Sequence, residues 1–301
     1  IEGRWSLTAR YSRLSTDGYR DQSWVEMWNA YLSLTRFGER SRLRLVFFGG
    51  PERTHLAYEG VPQRALKGSL TGDRERDRRF NPITYPGEID TFMQPHYQLI
   101  HELDLASGGT LAQTLYAYQG EGSYDQFRAN RHLNEYNLPD IIQPDGSLVT
   151  RTDLVRRRNV AEWDYGWVPT LTRDFGRLTW SVGGEVRAHR AHHWGEVTWA
   201  RSYPPDSAPD RRYYDYRVDK DSGTVTVAAT WRPHAALTFS SGLQLTRHRY
   251  RMHDDLIRNV AISEPFTFVL PRLGAVIRLG EGGEAHVNLA RGMREPNFRD
   301  I

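Results

Sequence analysis

The 301 residues contain no cysteine, which excludes a disulfide framework, a thiolate metal site and a cysteine nucleophile. Apolar runs are short. None reaches the roughly 18 residues of a membrane-crossing helix, and mean hydropathy is −0.66. Lysine is nearly missing: only Lys67 and Lys220 accompany 38 arginines. These 40 basic residues face 37 acidic ones, a net of +3, so no general electrostatic case for binding nucleic acid arises. No stretch carries the 3.6-residue period of a long amphipathic helix. The Gly-x-Ser-x-Gly elbow, the phosphate-binding Gly-Lys-Ser/Thr loop and the dinucleotide-binding glycine triplet are all missing, and no catalytic residue is assigned. Residues 1–10 lack the basic start and apolar stretch of a signal peptide.

Aromatic residues, at 12%, are too many for a disordered polymer. The dominant pattern is alternation with a period of two, the signature of strands with two unlike faces. Leu178, Trp180, Val182, Gly184, Val186 and Ala188 share one parity; Glu185, Arg187 and His189 share the other. Val225, Val227, Ala229 and Trp231 oppose Thr224, Thr226 and Thr230, and Leu237, Phe239, Leu243 and Leu245 oppose Thr238, Ser240, Gln244 and Thr246. Leu43, Leu45 and Phe47 oppose Arg42 and Arg44, and Leu273, Ala275, Ile277 and Leu279 oppose Arg272 and Arg278. With weaker runs near 5–13, 28–36, 91–105, 110–118 and 159–172, and one at 285–289, eleven strands are expected.

Short turns near 37–40, 106–109, 173–176, 231–234 and 280–283 alternate with long polar stretches near 60–90, 120–158, 192–212 and 250–265, plus a brief one at 15–23. All short turns therefore fall at one end of the sheet and all long loops at the other. Structureless loops beyond about 15 residues are uncommon in compact soluble domains, and soluble strands usually run about five or six residues. A transmembrane strand needs about 9–11 tilted residues. Short turns on one side, long loops on the other, and an apolar outside around a polar interior describe a membrane barrel. Lipid leaves backbone polar groups unsatisfied, so strands cross it only as a closed sheet. The parity follows from energy: an arginine facing mid-membrane lipid costs roughly 2–4 kcal/mol, so the charged parity faces inward. Trp5, Tyr11, Trp28, Phe47, Phe48, Trp180 and Trp231 suit interfacial girdles.

Seven segments, Ser12–Ser23, Arg53–Pro62, the Asn81-Pro82 pair, Gln94–Leu99, Gly120–Phe127, Pro271–Gly274 and Ala290–Asn297, spread across most of the chain. In this order they resemble segments of TonB-dependent outer-membrane receptors of the ferric-siderophore branch. The resemblance implies an all-β transmembrane antiparallel β-barrel, with residues 1–301 forming about half of 22 strands. It implies a plug domain and a TonB-recruiting box outside this span, as though the chain were the middle of a longer receptor. It also implies energy-coupled import of a ferric siderophore or similar chelate, with the TonB complex, outer-membrane lipid and lipopolysaccharide as partners. No cofactor is expected.

His189, His192 and His193 form the only metal-like cluster, but His192 has the opposite parity to the other two, so the three do not converge and no metal site is assigned. His189 and His193 are instead candidates for holding a chelate at the mouth, together with Tyr124, Arg128 and Arg131. The stretch Asp73–Arg79 reads first as a solvated loop, with lipopolysaccharide phosphate or an anionic chelate as the functional alternative. Tyr213, Tyr214 and Tyr216 read as interface aromatics. A passive porin or adhesin barrel, and a soluble all-β carbohydrate-active enzyme, are the rival classes. Sealing of Leu178, Val182 and Val186 in a water-soluble core would overturn the transporter reading, and partitioning of the full-length protein into aqueous buffer without detergent would favour the enzyme.

Overall fold

Each alternating run forms a strand in the computed structural model, which describes residues 4–207, 211–280 and 282–296. The Asn297 end of the last family-like segment, Glu281 in the final short turn and residues 208–210 of the third long stretch lie outside the described residues. In chain order the strands are β1 (Trp5–Thr16), β2 (Val25–Phe37), β3 (Ser41–Gly49), β4 (Pro51–His55), β5 (Ile89–Met93), β6 (His96–Asp104) and β7 (Thr110–His132). There follow a small hairpin, β8 (Ile141–Ile142) and β9 (Leu148–Val149), then β10 (Arg151–Asp174), β11 (Leu178–Ala200), β12 (Arg212–His234), β13 (Leu237–His253), β14 (Ile262–Leu279) and β15 (Gly283–Ala290).

β3 and β4 are one crossing interrupted at Gly50, where a Cβ would lie 1.8 Å from the Trp28 carbonyl oxygen. β5 and β6 are one crossing interrupted at Gln94 and Pro95, where proline removes a ladder donor. The expected eleven crossings result, each antiparallel to its chain neighbours in one sheet. Among the described residues the outer strands β1 and β15 do not pair with each other.

The register fixes two faces. Leu178, Val182 and Val186 are 39%, 40% and 62% exposed, so no water-soluble core seals them. Val225, Val227, Leu243, Leu245 and Leu273 lie on the same face, equally uncovered. An apolar face of this extent, left open by its own chain, calls for a second apolar solvent. The opposite face carries Thr35, Asp164, Ser222 and Thr246, all buried. Of the expected girdle residues, Trp5, Tyr11, Trp28, Phe47, Trp180 and Trp231 point outward, with Tyr11 stacked on Trp28. Phe48 points inward, its ring stacked on His96 at 4.5 Å. Trp163, Tyr165 and Trp167 on β10 add three outward aromatics.

Strands extend beyond the apolar band into the stretches read as loops. β7 runs to His132 and β10 starts at Arg151, so the stretch read as the 120–158 loop leaves a connection of only 133–150, and the longest connection is 56–88, between β4 and β5. The connections read as 192–212 and 250–265 shrink in the same way, because β11 reaches Ala200 and β13 reaches His253. The 133–150 connection is held by a small core: Leu133, Tyr136 and Leu138 pack on Leu154, Val197 and Tyr213.

The 60–90 stretch is ordered too. It contains α1 (Gln63–Leu66) and α2 (Arg74–Arg78), and Asp73 caps α2 by accepting from the Glu75 and Arg76 N–H groups. Asp77 is fully buried, so 73–79 is more than a solvated run. Its carboxylate accepts from the Thr71 hydroxyl at 2.6 Å and from the Leu70 and Thr71 N–H groups at 2.8 and 2.9 Å. The Thr71 hydroxyl in particular holds this carboxyl below the usual aspartate range. Ordering by Asp77 is therefore complete above the unfolded aspartate value near 3.9 and is lost as pH falls through the lowered folded value. Asp77→Asn in the full-length protein should speed hydrogen exchange at Leu70 and Thr71 near neutral pH, while wild-type protection at those amides persists to below about pH 4. Asn81, of the Asn-Pro pair, is buried; it donates to the Leu56 carbonyl and accepts from Arg20, tying this connection to the β1–β2 turn.

Candidate functional site

Adjacent strands bring alternate residues of β5, β7, β10, β11 and β12 onto one stretch of the inward face. A cavity of about 410 Å³ opens there, lined by Glu52, Asp90, Tyr124, Arg158, His193 and Tyr214 among others. Arg158 lies between two tyrosine rings, 5.6 Å from the Tyr124 centroid and 5.7 Å from that of Tyr214. Its Nε donates to the Tyr214 hydroxyl at 3.3 Å. The guanidinium is thus held by π faces and one neutral oxygen; among the described residues it forms no carboxylate ion pair. His193 stacks on Tyr216 at 5.4 Å, and Tyr216 lies 5.7 Å from Tyr214. Glu52, Asp90 and Glu162 supply carboxylates to the same cavity, and Gln94 donates to Glu162 at 3.0 Å. The cavity therefore offers aromatic faces and a cation beside carboxylates, a combination that accepts a ligand with both apolar rings and charge.

A second cluster lies beside the first on β7, β10 and β11. Asp164 is fully buried and accepts from the Tyr118 hydroxyl at 3.0 Å and from Arg187 at 2.5–3.0 Å. His189 Nδ1 approaches the same carboxylate at 3.3 Å, and the Tyr116 hydroxyl donates to Glu185 at 3.0 Å.

The five expected ligand residues thus separate. Tyr124 and His193 line the cavity; His189 belongs to the Asp164 cluster. Arg128 projects inward farther along β7, beyond Gln126, near Glu88. Burial pushes the Glu88 carboxyl above the usual glutamate range, while the Phe127 N–H, from which it accepts at 2.6 Å, and Arg128 pull it back. Arg131 lies at the far end of β7, paired with Glu135. His192 points to the outward face, where it meets Asp215 at 2.7 Å. Among the described residues no group of three or more His, Asp or Glu side chains is arranged to hold a metal ion.

Arg158, Asp90 and Glu52 were not expected at the site. Tyr214 and Tyr216, read as interface aromatics, turn inward because Tyr214 pairs with Gly195 and Tyr216 with His193. The parity of β10 was available to place Arg158, but its two tyrosine neighbours come from other strands.

The family described as TonB dependent receptor-like, beta-barrel matches residues 28–301. Among solved structures, the unliganded ferric citrate transporter FecA superposes with a TM-score of 0.72 at 13% identity, over 96% of this chain and 39% of that one. The open form of the ferric-catecholate import receptor Fiu from E. coli K12 gives 0.69 at 15% identity, over 96% and 50%. The copper transporter OprC gives 0.66 at 12% identity, over 98% and 42%. A search of curated protein sequences returned no match. The chain spans half or less of the length of these three structures, which agrees with a partial barrel. With a match over nearly all its length and the strand order of such a barrel, the chain belongs to the TonB-dependent receptor-like β-barrel family.

Proposed function

We propose that this chain forms about half the barrel of a Gram-negative outer-membrane receptor that imports a ferric siderophore, or a similar anionic chelate, with energy delivered through TonB. Family membership and the likeness to receptors for ferric citrate and ferric catecholates support this reading. The observation that carries it is Arg158. A guanidinium fixed between two tyrosine rings and free of a carboxylate partner is ready for an anionic, ring-bearing ligand. Tyr124 and His193 offer the stacking faces, and Arg128 and Arg131, farther along β7, attract the ligand on approach. No bond is made or broken: the work is binding, followed by gating through a plug domain outside this span.

The test is growth of a strain lacking the receptor on a panel of single iron chelates, restored by the wild-type gene or by Arg158 variants. One chelate should fail to support the deletion strain. For that chelate, Arg158→Gln in the full-length receptor should weaken binding at least about tenfold, with Arg158→Lys intermediate, because a buried charged contact is worth roughly 1.5–3 kcal/mol. Equal growth of deletion and wild-type strains on every chelate would refute the reading.

A further inference from the structure

Two carboxylates on the inward face stand apart from the others there. Glu102, Glu162, Asp164 and Glu185 each hold a partner, respectively Arg42, Gln94, Arg187 and Tyr116. Glu52 and Asp90, on the paired strands β4 and β5, hold none among the described residues. Both are partly buried, and each lies in the negative field of the other. Taking like charges out of water without a countercharge opposes folding, so the pair calls for a cation from outside these strands.

Register lays the inward cavity out as two poles. In one row across the strands, Asp90 pairs with Tyr124, and Tyr124 with Arg158. Asp90 and Arg158 are thus two strand spacings apart, about 10 Å, with Tyr124 between them. On its far side Arg158 is held by Tyr214, whose ring lies over Gly195: a Cβ there would be 2.3 Å from Tyr214 Cε1. The guanidinium therefore does not neutralise the carboxylate pair. Glu52 belongs to the next row, with Phe92, Gly122 and Val160, which leave an apolar floor between the poles. A purely negative group answers Arg158 and leaves Glu52 and Asp90 unanswered. A bare metal ion fits no better, because beside Phe92 this pole offers two carboxylates, fewer oxygen donors than calcium takes, and among the described residues no third acidic or histidine ligand joins them.

We propose that the cavity selects a zwitterionic ferric chelate, with an aromatic, anionic part against Arg158, Tyr124 and Tyr214 and an organic ammonium group about 10 Å away at Glu52 and Asp90. The carboxylate pair is then the specificity-determining element: it rewards a cargo that carries a free amine and rejects the same cargo once that amine is blocked. This inference rests on the import reading above and adds to it the charge pattern of the cargo.

The test uses the full-length receptor in mild detergent, with binding read by quenching of tryptophan fluorescence. One probe is the ferric complex of lysine whose α-nitrogen carries a catechol acyl group, which has a ring, a carboxylate and a free ε-ammonium. The other is the same complex acetylated at the ε-nitrogen, which lacks that positive charge. Wild type should bind the ammonium form at least tenfold more tightly. Glu52→Gln with Asp90→Asn should erase the difference, and Arg158→Gln should weaken both forms by a similar factor. Equal affinity of wild type for the two forms, no binding of the ammonium form, or a difference that survives in the double variant overturns the proposal. The wild-type comparison needs no variant, so it stands even if the double variant fails to fold. If wild type does not tell the two forms apart and the double variant is less stable to urea, the pair serves a cationic side chain of the plug domain, and the proposal falls. The growth panel separates the premises: a receptor on which no chelate depends defeats the import reading, whereas a dependent chelate with no advantage for the ammonium form defeats only the zwitterion.

Discussion

Asp164→Ala in the full-length receptor should lower the stability of the barrel by about 3 kcal/mol. Asp164 has no exposure and is the acceptor for Tyr118, for three Arg187 contacts and for His189. Truncation leaves the Arg187 guanidinium without its counter-charge and the Tyr118 hydroxyl without its acceptor. Arg187 keeps 35% of its side chain exposed, so water recovers part of the loss, and the effect sits at the low end for a broken buried pair. Asp164→Asn retains an acceptor for Tyr118 but no charge, and should cost roughly half as much. In a double-mutant cycle with Arg187→Ala, a coupling of about 1.5–3 kcal/mol is expected. Urea unfolding in lipid vesicles, followed by tryptophan fluorescence, reads all five proteins. An alanine variant as stable as wild type would show that the cluster holds nothing together.

The second large effect concerns the other face. Val225→Arg should cost about 2–4 kcal/mol, or block insertion outright, because Val225 points outward within the apolar band and its partners Gly184 and Leu245 lie on the same face. Thr226→Arg, one residue along and inward, should cost less than about 1 kcal/mol. The heat-dependent gel shift of folded barrels and urea midpoints in vesicles both report the difference. Equal penalties at 225 and 226 would mean that the two faces do not meet different solvents.

These effects attach to features of unequal legibility. The eleven crossings could be read because a membrane enforces alternation: outward Val182, Val225 and Leu243 meet lipid, and their chain neighbours do not. Strand ends could not be read, because beyond the apolar band both faces meet water. Residues 125–132 therefore carry charge on either parity, residues 190–200 carry Arg190 and Glu196 on the parity that is apolar nearer the short turn, and both stretches resemble loop. Phe48 was misplaced because a lone aromatic near a strand end carries no parity label, although its neighbour Phe47 was assigned correctly. Arg158 was missed for a different reason. Its position depends on Tyr124 and Tyr214, which only the lateral order of β7, β10, β11 and β12 brings together. Tyr124 and His193 could be named from parity and chemistry, but their grouping in one cavity, and the separate attachment of His189 to Asp164, is a property of register.

The central claim is that alternate residues face lipid and a watery interior. Because these residues contain no cysteine, single cysteines introduced at 181, 182, 225, 226, 243 and 244 of the full-length receptor can each carry a spin label without background from this span. In lipid vesicles, labels at 182, 225 and 243 should collide more readily with oxygen than with a water-soluble nickel chelate, and labels at 181, 226 and 244 should show a lower ratio, alternating residue by residue. A flat ratio along both strands would contradict the account.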